Sequence, residues 1–162
     1  MKRLLLMRHA KPANPQDVLD HDRPLNDQGL SEAPRVGQWL IKQGIRPDEV
    51  IASTALRACM TAQLVADQFE NPPHVQTSRS LYMPCVDDIV EAVSVAHGPT
   101  VLVVCHNPGI SEAAAVLGGS PVSMSPASLA VIDFGVAAWS DLLVDASGDH
   151  HAIWHVRDLP TQ

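Results

Sequence analysis

"LLLMRHAKP", residues 4–12, runs four apolar residues straight into Arg8 and His9. A short unbroken apolar run reads as a strand buried on both faces, the kind found at the centre of a parallel sheet. Arginine and histidine are costly to bury, so their place at the end of such a strand needs a reason. A second run has the same form: "TVLVVC" (100–105) leads directly into His106 in "HNPG" (106–109). In an open parallel sheet, ligands bind in the crevice outside the carboxyl ends of the strands. With 2–7 and 100–105 as central neighbours, His9 and His106 face each other across that crevice.

The elements around these two strands follow from periodicity and punctuation. "KPANPQDVLDHDRPLNDQG" (11–29) is polar and holds three prolines, which predicts a long loop of the functional kind. A helix is expected from about Gln28 to Gln43, capped by Asn26 or Asp27 and ended by Gly44; Pro34 either kinks it or marks its true first turn. A short strand follows at 49–52, then a helix over 55–69 with Ser53 or Thr54 as its N-cap. Further expectations are a short strand at 74–77, an amphipathic helix at 86–96 and a helix from about Ile110 to Leu117. Strands are expected at 128–134 and, from period-2 alternation, at 151–158. This order predicts an α/β fold: a three-layer sandwich with a mixed, mostly parallel sheet and helices on both faces.

The totals suit that fold. A chain of 162 residues predicts one domain over 1–162, able to bury its core without staples. Aromatic residues are only 4%, so the core is built from Ala, Val, Leu and Ile. The net charge of −7 argues against nucleic acid as a partner, and any phosphate site must gather its basic residues through the fold. Cys59, Cys85 and Cys105 form no C-x-x-C pair and read as reduced thiols of a cytoplasmic protein. No apolar stretch matches a signal peptide or a membrane span, so no membrane partner is expected.

Arg57 lies one turn into the helix after the strand at 49–52, and so reaches the same end of the sheet. Arg8 and Arg57 then bracket His9 and His106. Arginine forks match phosphate oxygens, and a neutral imidazole attacks phosphorus to give a covalent phosphohistidine. The set points to phosphoryl transfer in which arginine does the work of a metal ion. Rival designs fail on the text. There is no G-x-x-x-x-G-K-[ST], and the residues six after Cys59, Cys85 and Cys105 are Val65, Glu91 and Ser111, where a cysteine phosphatase needs Arg. Asp87-Asp88 and His150-His151 follow no strong strand, and a metal site from His150, His151 and His155 lacks ligand spacing.

"LLLMRHAKP", "DRPLNDQG" (22–29), "STALRACMTA" (53–62) and "VLVVCHNPG" (101–109) together resemble the histidine phosphatase superfamily, of phosphoglycerate mutase-like fold. The short chain, Ala10 in place of the commoner glycine, and the short segment between the halves resemble its SixA-type phosphohistidine phosphatase branch. The resemblance implies that His9 is the nucleophile, that Arg8 and Arg57 bind the phosphoryl oxygens, and that His106 donates to the same group. Asn107 and Arg23 are implied as phosphate or substrate contacts, and no metal or organic cofactor is needed.

The chain departs from the phosphomonoesterases of that superfamily in one place. Where they carry an acidic proton donor, it reads "TSRSLYMPCVDD"; Asp87 and Asp88 are the candidate stand-ins, with helix capping as the other reading of both. An alkoxide leaving group badly needs a proton; an imidazole, with a reference pKa of about 6.5, needs it less. The expected activity is therefore removal of phosphate from phosphohistidine on a protein such as a phosphotransfer domain. The alternatives are a small-molecule phosphomonoester phosphatase and a non-catalytic phospho-ligand binding module. Tyr82 reads as packing at the pocket mouth, and His21 and Lys11 as surface residues.

Overall fold

The computed structural model describes residues 1–143 and 147–161. The chain runs β1 (Lys2–Arg8), α1 (Asp27–Lys42), β2 (Glu49–Ser53), α2 (Leu56–Ala66), β3 (Val75–Ser78), α3 (Val86–Ser94), β4 (Thr100–Cys105), α4 (Gly109–Gly118), β5 (Leu129–Phe134) and β6 (Asp149–Trp154). The strands form one mixed sheet in the order β3-β2-β4-β1-β5-β6. The first four are parallel, and β5 and β6 are antiparallel additions at one edge.

Alternation along β1 builds two cores at once, because successive side chains leave opposite faces of a strand. Leu4 and Leu6 join a cluster with Ile89 and Val93 of α3 and Ile110 and Leu117 of α4. Leu5 and Met7 join another with Val36 and Leu40 of α1 and Ala58 and Val65 of α2. Helices therefore cover both faces, as the two-sided apolar runs require.

The α1 start and its Asn26 cap are as expected, with Pro34 inside the helix and not at its first turn; two other boundaries differ from the sequence reading. The α1 helix begins one turn and more before Pro34 and continues through it, with Asn26 accepting from the Gly29 N–H at 2.9 Å as its cap. The N-cap of α2 is Ala55, not Ser53 or Thr54; the Ser53 hydroxyl instead accepts from the Ala55 N–H at 3.1 Å. The last strand stops at Trp154, because residues 156–158 turn into a 3-10 segment. Arg35 Nη2 holds that turn by donating to the Val156 and Leu159 carbonyls at 3.2 and 3.0 Å. His155 consequently leaves the strand and bonds the Ser128 hydroxyl at 2.8 Å.

Candidate active site

Parallel register sets the two histidines side by side. Arg8 stands opposite Cys105, so the next residue of each strand is a histidine at the carboxyl end of the sheet. The His9 N–H donates to the Cys105 carbonyl at 3.1 Å, extending the ladder by one step. The imidazole centroids lie 5.1 Å apart, and both residues are buried.

Each ring is aimed by a bond to its other nitrogen. His9 Nδ1 lies 2.8 Å from the Ala10 carbonyl oxygen. A carbonyl only accepts, so Nδ1 carries the proton and Nε2 keeps its lone pair for attack. His106 Nε2 lies 2.7 Å from the Ser53 hydroxyl. That hydroxyl is fully buried and already accepts from Ala55. Among the described residues its proton finds one acceptor, His106 Nε2, so the His106 proton sits on Nδ1. Among the described residues, His106 Nδ1 is buried without a partner, and so is Arg8 Nε. Two buried donors left unpaired mark a place where a ligand's oxygens are expected, since each orphan costs roughly 1–3 kcal/mol.

The arginines are set by the backbone around them. Arg8 Nη1 donates to the Met124 carbonyl at 3.1 Å. Arg57 is buried on the first turn of α2. Its helix is tied to β1 through Thr61, whose hydroxyl accepts from the Ala10 N–H at 3.0 Å and donates to the Arg57 carbonyl at 2.7 Å. The Arg57 fork grips Asp20, with Nη1 to the carbonyl at 2.6 Å and Nη2 to Oδ2 at 3.0 Å. Arg23 donates to Asp20 Oδ1 at 3.1 Å and to the Ala13 carbonyl at 3.0 Å, so it braces the 11–29 loop beside the site. The Tyr82 hydroxyl donates to Asp20 Oδ2 at 2.5 Å, and its ring meets His106 edge-on at 5.5 Å.

These contacts decide the charges. Burial pushes His9 down to about 4, with Arg57, Arg8 and Arg23 adding repulsion. Repulsion from the arginines thus adds to a shift that burial dominates. His106 is pushed down to about 3, again first by burial and then by His9 and Arg57. Both rings are neutral at neutral pH. The Tyr82 hydrogen bond, then Arg23 and Arg57, holds the Asp20 carboxyl well below the ordinary carboxylate range.

The fold brings together His9, Arg8, Arg57 and His106, with Arg23 one contact further out. Asn107 is spent on structure: its Nδ2 donates to the Met124 carbonyl at 2.8 Å and its Oδ1 accepts from Ser111 at 2.5 Å. It thus shares the Met124 carbonyl with Arg8. Asp88 accepts from the Cys85 N–H at 2.9 Å and caps α3, while Asp87 faces a groove between α3 and α4. His21 is not a free surface residue; it bonds the Thr54 hydroxyl at 2.9 Å and packs on Tyr82. Asp20 and the bonding role of Ser53 escaped the sequence reading. The position of Ser53 four residues before Arg57 was the available signal for one, and "DHDRPL" for the other.

Neutral imidazoles paired at a strand end, flanked by the buried Arg57 and the half-buried Arg8, suit a phosphoryl group. Comparison with known proteins agrees. The family model of the histidine phosphatase superfamily (branch 1) matches residues 4–81. An uncharacterized protein of Mycobacterium tuberculosis is 37% identical over 113 residues, covering 68% of this chain and 69% of that protein. A Nakamurella multipartitia protein assigned as the phosphohistidine phosphatase SixA superposes with TM-score 0.81 at 29% identity, covering 95% of each chain. The tungstate complex of the protein histidine phosphatase SixA shares the fold, with TM-score 0.81 at 22% identity over 96% of this chain and 98% of that one. The chain belongs to the histidine phosphatase superfamily, in its SixA-type branch. It is a phosphatase of α/β fold, and no helix among the described residues is long and apolar enough to cross a membrane.

Proposed function

We propose that the chain hydrolyses phosphohistidine on a protein through a phospho-His9 intermediate. His9 Nε2 attacks phosphorus; the N–P bond to the substrate imidazole breaks as the new N–P bond forms, and that imidazole leaves neutral because its other nitrogen already carries a proton. Arg8 and Arg57 neutralise the phosphoryl oxygens, and the His106 Nδ1–H donates to one of them. Water then cleaves phospho-His9, and inorganic phosphate leaves with His9 neutral again. The catalytic roles of Arg8, His9, Arg57 and His106 are proposals that the geometry supports; Arg23 acts from the loop and Asn107 through the backbone it holds.

One observation carries the substrate class: the carboxylate that the fold brings to this site is in no state to give a proton. Asp20 is held ionised by two arginines and a phenol. His106 is neutral, and its one proton is committed to the phosphoryl group. A leaving group must depart with little help, which suits an imidazole far better than an alkoxide.

The test is turnover of a histidine phosphotransfer domain, chemically phosphorylated with phosphoramidate, against sugar phosphates and para-nitrophenyl phosphate, all in EDTA. The expected result is a kcat/KM for the phosphorylated domain at least about 100-fold above the sugar phosphates, lost in His9→Ala. The reverse order of substrates means a small-molecule phosphomonoesterase. Silence on every substrate means a binding module.

A further inference from the structure

One carboxylate is bound to the phosphate-binding side chains without taking a step in the chemistry above. Asp20 opens the 3-10 turn Asp20–Asp22 in the 11–29 loop, and half of its side chain is exposed. Water alone would satisfy a carboxylate on such a turn. This one instead collects donors from three separate parts of the chain. Oδ1 accepts from Arg23 at 3.1 Å, and Oδ2 accepts from Arg57 at 3.0 Å and from the Tyr82 hydroxyl at 2.5 Å. An anion bound to a phosphate-binding arginine repels a phosphorylated substrate, so the contact has to do something that offsets the repulsion.

Arg57 shows what that is. Its guanidinium is buried, and among the described residues Asp20 is the carboxylate paired with it. Asp20 takes one N–H from each Nη, one on Oδ2 and one on its own main-chain carbonyl at 2.6 Å. Three of the five N–H groups stay uncommitted to Asp20 and can meet phosphoryl oxygens. Two bonds to a planar fork fix its tilt as well as its place. Arginine is long and rotamer-rich, so the helix under Arg57 sets the root of the side chain and not its tip. Tip placement matters, because a shift of about 1 Å costs up to about 10²-fold in rate.

The contacts favour a fixed brace over a stand-in that a phosphoryl group displaces. Half of the hold on Arg57 is main chain. The Asp20 carbonyl also accepts from the Arg23 N–H at 3.2 Å and closes the 3-10 turn, so no swing of a side chain frees the fork. The carboxylate is anchored in turn. Tyr82 packs edge-on against His106 at 5.5 Å and His21 at 4.9 Å, and Arg23 also donates to the Ala13 carbonyl at 3.0 Å.

We propose that Asp20 is a positioning residue, whose carboxylate, itself held by Tyr82 and Arg23, aims the Arg57 guanidinium at the phosphoryl group. This rests on the phosphoryl-binding role given to Arg57 above and adds the group through which the loop controls it. Asp20 acts through Arg57 and touches no reacting atom.

The decisive variant is Asp20→Asn. Arg23 donates to one carboxylate oxygen and Arg57 to the other, so an amide turned either way sets an N–H against an arginine, while the main-chain bond to Arg57 survives. The experiment measures kcat/KM for wild type, Asp20→Asn, Arg57→Ala and the double variant. The probes are para-nitrophenyl phosphate and a histidine phosphotransfer domain phosphorylated with phosphoramidate. Expected is a loss of about tenfold on both probes for Asp20→Asn in the wild-type background. In the Arg57→Ala background the same change costs nothing or raises the rate, because the carboxylate there only repels substrate. Tyr82→Phe keeps the ring and loosens the carboxylate, for a loss of about threefold. A rise for Asp20→Asn in the wild-type background makes Asp20 a competitor for the fork and overturns the proposal. So does an unchanged rate, and so does an equal loss in both backgrounds, which is also how misfolding would show. Arg57 is judged separately: Arg57→Ala with wild-type kinetics, or a wild type silent on both probes, refutes the reading on which the proposal rests, whereas an impaired Arg57→Ala beside an unimpaired Asp20→Asn refutes the positioning role alone.

Discussion

Strand β1 carries an arginine near each end, and the two are put to opposite uses. At the amino end, Arg3 forms a bidentate pair with Asp133 of β5, at 2.7 and 2.8 Å. The neighbouring groups there are matched as well: Glu49 accepts from the His97 and Gly98 N–H groups at 2.6 and 2.7 Å, and Asp48 from Thr100 N–H at 2.9 Å. At the carboxyl end, Arg8 spends one N–H on a carbonyl and keeps a buried Nε without a partner. Those carboxylates and their donors complete each other; at the carboxyl end Arg8 Nε and His106 Nδ1 are buried side by side with the paired imidazoles and have no partner among the described residues. Unsatisfied burial points to function where it gathers beside reactive groups; by itself it does not, since Arg35 Nε, Trp39 Nε1 and both ring nitrogens of His150 are buried without a partner among the described residues as well.

The comparison breaks most sharply at Arg8. Arg8→Ala is expected to cost about 10²–10³ in kcat/KM, with little change in the denaturant midpoint. A large stability loss with modest kinetic change makes Arg8 a second Arg3. The next effect is in acid. With His9 down at about 4, activity at pH 5 holds roughly thirtyfold above what an ordinary imidazole of pKa about 6.5 permits, so the acid limb of kcat/KM lies near pH 4. Stability moves the other way over that window. The unfolded chain takes up protons that buried His9 and His106 refuse, so unfolding free energy falls as pH drops from about 6.5 towards 4. Urea titrations at pH 7 and pH 5 measure this beside the rate profile.

A smaller effect is expected at Ser53. Ser53→Ala removes the acceptor-side anchor of His106 and frees its tautomer, lowering kcat by about tenfold. Imidazole ¹⁵N shifts of His106 should show the Nδ1–H form giving way to a mixture; an unchanged spectrum removes Ser53 from the mechanism. Least of all, Arg3→Ala leaves kinetics at wild-type values and costs about 1 kcal/mol of stability. Asp133, held below the ordinary carboxylate range by Arg3, makes that contribution full above the ordinary pKa and lost as pH falls through its lower folded value.

What was legible in the sequence divides along the same line. The central strands, their parallel pairing and the convergence of Arg8, His9, Arg57 and His106 were readable because apolar runs set strand positions and strand ends set crevices. Local chemistry carried that information. Asp20 was missed, since Arg57 and Tyr82 lie 37 and 62 residues away and only Arg23, three residues on in "DHDRPL", marked it locally. Ser53 looked like a cap because hydroxyls before helices usually are. Only the register of β2 against β4 shows its hydroxyl turned to His106 instead. The end of the last strand was misjudged because alternation continues past Trp154, and what stops it is Arg35 on a distant helix.

Cys105 sits one residue from His106, yet its thiol is fully buried and pushed up to about 12 by that burial. It stays protonated and out of reach of oxidants, which act on accessible thiolate. With the phosphoryl group carried on His9 nitrogen, as proposed above, hydrogen peroxide would have no sulfur nucleophile to silence. On the proposed mechanism, dephosphorylation is expected to continue under an oxidative burst that stops cysteine-dependent phosphatases.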